Sequence, residues 1–226
     1  MKNHFFSLLT TVFFVATLLS CKKTPEPTPD PVSVTDIDGN VYPVAKICGQ
    51  FWMTENLKTT KYNDGTIIPT SLSNTAWEAA TTGAYGIYND ASASNTTYGK
   101  LYNWYAANST KLAPVGWHVA TEAEWQALVT CLGGTTVAGG KMKATSVLWQ
   151  APNTGASNSS GFNALPSGFK GSSGSYGSLG AVAYFWGSNQ RSTAQGEYLV
   201  LNNDFASVAF NGANKTFGYS VRCIKD

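Results

Sequence analysis

Side chains able to do chemistry are few in this chain of 226 residues. Its two histidines are His4, near the N-terminus, and His118, which follows Trp117 and precedes a helical segment. A serine-histidine-acid triad could draw only on His118, and no Gly-x-Ser-x-Gly turn exists to expose the serine. A lone histidine beside tryptophan ahead of a helix more often serves structure. The four cysteines, Cys21, Cys48, Cys131 and Cys223, include no recognisable catalytic or metal-gripping pair. Cys131 falls in an apolar-periodic segment, where a small buried thiol is the ordinary use. Calcium-dependent sugar binding needs clustered oxygen ligands. Asn202-Asn203-Asp204 could contribute some, yet a turn is the more natural use of that triplet, and no Glu-Pro-Asn or Gln-Pro-Asp occurs. The residues therefore point to a domain without catalysis, resident metal or cofactor.

The N-terminus carries a different chemistry. Lys2 supplies a positive start, and Phe5 to Leu19 is an apolar run broken only by Ser and Thr. At about 15 residues it falls short of the ~20 needed to span a bilayer, and it has the pattern of a secretory signal. Leu18-Leu19-Ser20-Cys21 resembles the lipobox of bacterial lipoproteins. The resemblance implies cleavage after Ser20 and acylation of the Cys21 thiol, so that lipid chains hold the mature chain to a bilayer. The alternative is an ordinary secreted protein in which Cys21 merely lies near the cut. Residues 1–20 are thus assigned as signal peptide, and residues 21–33 as lipidated cysteine and linker. Pro25, Pro27, Pro29 and Pro31 alternate through that linker, a composition that makes an extended spacer.

Residues 34–226 have the length of one domain. The whole chain has 7 Trp, 11 Tyr and 11 Phe but only 12% charged residues, and all the Trp and Tyr fall in this domain, enough to build a large core. A net charge of +2 with no basic stripe gives no case for nucleic acid. Val41 to Ile47 reads as a strand, placed at a sheet edge by Pro43. Gln50 to Leu57 reads as a strand or a loop entering the core, and Asn63-Asp64-Gly65 as a turn. Thr121 and Glu124 form a capping box ahead of Trp125, Leu128, Val129 and Leu132, spaced as one helix face that Gly133-Gly134 ends. A second helix is expected over Gly99 to Ala107, and a closing strand over Phe217 to Ile224.

Five ordered segments carry a family likeness: Asp36 to Tyr42, Trp52 to Lys58, Tyr98 to Tyr105, Gly116 to Trp125, and Gly218 to Cys223. Together they resemble the Fibrobacter succinogenes major paralogous domain, which is common in surface-type lipoproteins of Bacteroidetes and Fibrobacter relatives. Trp117 to Trp125 with Gly218 to Cys223 also looks like the core of formylglycine-generating, sulfatase-modifying enzymes. That likeness implies an α+β, C-type-lectin-like fold, with two main helices flanking small twisted antiparallel sheets and terminal strands that meet. The copper-holding cysteine pair of those enzymes, and the three iron-binding histidines of the related sulfoxide synthases, have no counterpart here.

The implied architecture suggests further assignments. Meeting terminal strands would bring Cys48 near Cys223, so a bridge between them is expected, against the alternative of three reduced, buried cysteines. The pairing fits an oxidising envelope compartment, and an odd total leaves one cysteine over. Lectin-type domains present ligands on long loops, and Gly168 to Gly187 is the candidate loop, with Tyr176 and Tyr184 as ligand-binding rings. Trp186 more naturally belongs to a core strand. Three roles stay open: a lectin-like binding domain for glycan or protein, a structural coat component, and a degenerate relative of the formylglycine-generating enzymes. An outer-membrane position is expected. Lys22-Lys23-Thr24 lacks an acidic run resembling a surface-export signal, so both the periplasmic face and the cell surface stay open.

Overall fold

Alternation of apolar and polar residues becomes sheet over much of the chain. The computed structural model describes Met1 and residues 30–226, so the signal segment, Cys21 and most of the linker lie outside the described residues. The compact unit begins at Pro31, slightly ahead of the expected Val34. Strands β1 (Ser33–Thr35), β2 (Val41–Ile47) and β3 (Gln50–Met53) come first. They are followed by α1 (Asn74–Glu78), β4 (Tyr85–Gly86), α2 (Ser92–Tyr98), β5 (Leu101–Tyr102) and α3 (Trp104–Ala107). Next are β6 (Trp117–Val119), α4 (Glu122–Cys131) and α5 (Ala138–Met142). Strands β7 (Ser167–Lys170), β8 (Tyr176–Leu179), β9 (Val182–Gln190), β10 (Gln195–Asn202) and β11 (Val208–Asn214) precede the closing β12 (Cys223–Lys225). One five-stranded sheet has the order β1-β2-β3-β12-β6 and the other β11-β10-β9-β7-β8. The molecule is mostly sheet with few helices. Among the described residues no helix is long and apolar enough to cross a membrane.

In the first sheet the closing strand β12 lies beside β3, with Ile224 opposite Trp52. Residue parity then divides two cores, because neighbours on a strand face opposite sides. Ile47, Trp52 and Ile224 join one core with Trp125, Phe162, Phe185, Leu199 and Leu201. Tyr42, Met53, Val119 and Cys223 join the other with Tyr102, Trp104, Trp186 and Tyr219. The Thr121–Glu124 capping box forms as expected, and α4 buries Trp125, Leu128 and Val129. The Trp125 ring lies 4.9 Å from Trp52 and 5.7 Å from both Phe162 and Phe185.

That parity corrects the expected disulfide. Cys48 pairs with Cys131, not Cys223. Cys48 and Gly49, both at positive φ (54° and 87°), are the two-residue turn between β2 and β3, a geometry that suits a tight hairpin. The turn reaches the last residue of α4, which supplies Cys131. Cys223 is the residue before Ile224, so it points into the opposite core and stays a buried thiol, its pKa pushed up by burial.

Other expectations shift for local reasons. Pro43 does not put β2 at an edge, because β1 covers that side. Its missing N–H falls one residue outside the β2–β3 register, where its carbonyl still accepts from Thr54. The helix expected over Gly99 to Ala107 splits: Tyr102 pairs with Tyr85, and Asn103 then caps the short α3 through Ala106 N–H while also accepting from Ala84. Only α4 among the described helices reaches ten residues, so the picture of two main helices does not hold. Gly168 to Gly187 is not a long loop but strands β7, β8 and most of β9.

Candidate functional site

Residues of the recurring segments converge in the interior. The stretch Gly218 to Arg222 runs between the sheets: Gly218 bonds Lys170, Tyr219 bonds Tyr102, Ser220 lies beside Phe185, and Val221 accepts from Leu57. Arg222 is 1% exposed. Its Nε donates to Asn56 Oδ1 at 2.6 Å, Nη1 donates to the Met53 and Phe162 carbonyls, and Nη2 donates to Asn163 O. Asn56 in turn donates to Tyr98 O and Ser220 Oγ. Burial pulls the Arg222 pKa below its ordinary value. These residue types therefore serve first to hold the packed interior together.

His118 belongs to the same structural class. Its Nδ1 lies 2.6 Å from Asp226 Oδ1 and its Nε2 2.8 Å from Glu124 Oε1, so both ring nitrogens are engaged. Burial pulls the imidazole pKa down, but the hydrogen bonds to Asp226 and Glu124 outweigh it and the net shift is upward. A raised folded pKa means that protonation favours the folded state. The contribution is present below the ordinary value near 6.5 and is lost as pH rises through the higher folded pKa. Part-exposed pairs of this kind contribute under about 1 kcal/mol. Melting curves of His118→Gln and the parent protein should thus separate below neutral pH and converge in alkali.

The feature left over is a face of the second sheet. On β9 and β10, Ala183, Phe185, Leu199 and Leu201 turn inward, so Tyr184, Trp186 and Tyr198 turn the other way. Phe169 on β7 joins them, because Gly168 is opposite Ala183. Tyr219 and Trp186 form a buried floor, their rings 4.4 Å apart. Over it sit Phe169, Tyr184, Tyr198 and Phe217, all half-buried. Tyr184 stacks on Tyr219 at 4.7 Å with an 11° interplanar angle, and Tyr198 meets Tyr219 at 5.1 Å. Phe169 contacts Tyr184 and Phe217 at 5.7 and 6.0 Å. Burial raises the pKa of the Tyr184 and Tyr198 phenols, which keeps both hydroxyls protonated. Exposed Asn211 is opposite Tyr198 on β11, and Arg191, in the β9–β10 turn, pairs with Glu197 at 3.0 Å. Rings that pack on one another hold fixed rotamers, so a ligand laid across them orders little further side chain.

Of the two tyrosines singled out in the sequence, only Tyr184 lies on this face. Tyr176 sits opposite Lys170 on the β7–β8 pair. Its hydroxyl donates to Asp90 at 2.8 Å and accepts from Lys170, and its ring packs on Tyr88. Trp186 is a core residue, as expected, with Nε1 donating to Tyr102 O. Phe169, Tyr198 and Phe217 were not singled out. The alternation Tyr198-Leu199-Val200-Leu201 was the signal that could have placed Tyr198 on an outward face. Asn202-Asn203-Asp204 makes the β10–β11 turn, where Asn202 Oδ1 accepts from Asp204 N–H at 2.9 Å.

No curated protein and no solved structure matches this chain. The model of the Fibrobacter succinogenes major domain matches residues 45–225, a span that takes in the Arg222 hub, α4 and the aromatic face. This chain therefore belongs to the Fibrobacter succinogenes major domain family.

Proposed function

We propose that this protein is a lipid-anchored envelope protein, held to the outer membrane through acylated Cys21, whose folded domain is a non-catalytic binding module. The observation that carries the binding reading is the aromatic face, with four half-buried rings packed over Tyr219 and Trp186. Flat rings, protonated phenols and a neighbouring amide suit an extended glycan, whose C–H faces stack and whose hydroxyls hydrogen-bond. An absence of catalysis is supported by His118, whose two nitrogens are both occupied, and by the burial of Cys223. A C-type-lectin-like architecture is supported by the closing strand β12 pairing with β3 of the N-terminal hairpin. Anchoring rests on the Leu-Leu-Ser-Cys21 segment and the proline-rich spacer behind it.

A melting-temperature screen of the full chain against plant and host glycans, with calcium and then with chelator, tests the binding reading. A ligand at 100 times its dissociation constant adds about 2.7 kcal/mol of stability. One glycan class is expected to raise the melting temperature, and no response across the panel would leave a coat role instead. Anchoring has a separate check. Cells fed labelled fatty acid should incorporate it into the parent chain and not into Cys21→Ala, whereas label retained by the variant would contradict acylation at that site.

A further inference from the structure

A cleft of about 140 Å³ lies between the chain that follows β3 and the end of α2. Glu55, Asn56, Lys58, Thr97, Asn163 and Arg222 are among its walls. The Arg222 guanidinium has five N–H groups. Four of them are used, all on neutral oxygens. Among the described residues no carboxylate lies within ion-pair distance of it; Glu55, whose charge acts on it from further off, pairs with Lys58 at 2.7 Å. A fully buried charge is ordinarily paired, because removing it from water unpaired is costly. The orientation of this one is informative. Asn56 and Asn163, which hold Nε and Nη2, line the cleft, while Met53 and Phe162, which hold Nη1, do not. Among the described residues the unused donor is the second hydrogen of Nη2, the nitrogen whose acceptor Asn163 lines the cleft.

We propose that this cleft binds the carboxylate group of an acidic ligand, with Arg222 as the buried anion partner and Lys58 as the second positive charge. Arg222 and Lys58 against Glu55 leave one net positive charge, which a single carboxylate balances. A phosphate dianion would exceed that charge and face Glu55. The volume admits an acid group and the few atoms bearing it, not a polymer chain, so the ligand enters by its acidic end. Three sources present that chemistry: a free small acid, a uronic acid unit of a polysaccharide, and a peptide C-terminus. The site is separate in its residues from the aromatic face and stands whether or not that face binds glycans.

The test is an amide NMR titration of the full chain in detergent micelles, following Thr97 and Gly99 at the cleft. The probes are acetate, glucuronate, a capped dipeptide with a free C-terminus, acetamide and inorganic phosphate. At least one carboxylate is expected to shift both amides saturably, and the tightest of the three assigns the source. Acetamide should leave them unmoved, and affinity should fall with added salt. Arg222→Met is unsuitable because it removes the fold's own hub, so Lys58→Met is the informative variant and should weaken binding about fivefold or more. Equal shifts with acetamide, silence with every carboxylate, unchanged affinity in Lys58→Met, or phosphate binding as tightly as the carboxylates would each overturn the proposal.

Discussion

Arg222→Met should lower folding stability by about 4 kcal/mol or more, the largest effect expected of any single side chain here. The substitution strands Asn56 Oδ1 and the carbonyls of Met53, Phe162 and Asn163 without their donor. A buried acceptor left unpaired costs about 1–3 kcal/mol each, and relief from burying a charge offsets part of that sum. The Phe162 and Phe185 rings, 4.5 and 5.5 Å from the guanidinium carbon, also lose a cation partner. Domains of this size hold only about 5–15 kcal/mol in total, so much of the variant should be unfolded at modest denaturant. Arg222→Lys should rescue little, since an ammonium has three donors and no planar fork. Urea unfolding followed by tryptophan fluorescence measures both. A loss under about 1 kcal/mol for Arg222→Met would mean that the hub is not what joins the sheets.

The Cys48–Cys131 bridge should matter almost as much. It closes a loop with a sequence separation of 83, for which loop entropy alone gives about 4.5 kcal/mol, and native bridges commonly deliver about 2–4. Cys131→Ser, or reduction of the parent protein, should therefore lower the folding free energy extracted from urea unfolding by a similar amount. The two perturbations should not add, because they remove the same link. Peptide mapping without reduction should find the segments containing Cys48 and Cys131 joined, with Cys223 taking alkylating reagent only after denaturation. A map joining Cys48 to Cys223 would refute the pairing. Such a map would also require Cys223 to leave a core in which it is 0% exposed.

Local signals in the sequence were legible where the cause is local. The capping box at Thr121 and Glu124, the buried stripe of α4, the Gly133-Gly134 stop and the β2 strand all depend on residues within one or two turns of each other. The resemblance implied only that terminal strands meet, and β12 is found beside β3. What failed was parity across distant strands. Nothing near Cys223 shows which side of the sheet it faces until its register with Val119 is known. The same blindness hid the aromatic face, which is assembled from β7, β9, β10 and the stretch before β12. Charge was the other trap. Lys100, Lys143, Lys170, Lys215 and Arg222 would ordinarily be placed at the surface, yet all are buried. Lys143 Nζ donates to the carbonyls of Thr154, Asn202 and Phe205, and Lys215 lies 4.3 Å above the Trp104 ring. Loop carbonyls and aromatic rings gathered from far along the chain satisfy these cations, and no window of sequence displays that.

The claim that matters most is that glycan binding resides on the half-buried rings of the second sheet. The direct measurement is a titration of the full chain and of Tyr184→Ala/Tyr198→Ala with the glycan that raises the melting temperature. Circular dichroism and the urea midpoint should be recorded for both proteins. An aromatic ring central to a binding surface commonly costs about 2 kcal/mol or more when truncated, so removing two should weaken binding at least tenfold while the fold persists. Undiminished affinity in a folded double variant would contradict the account and move the binding site off this face.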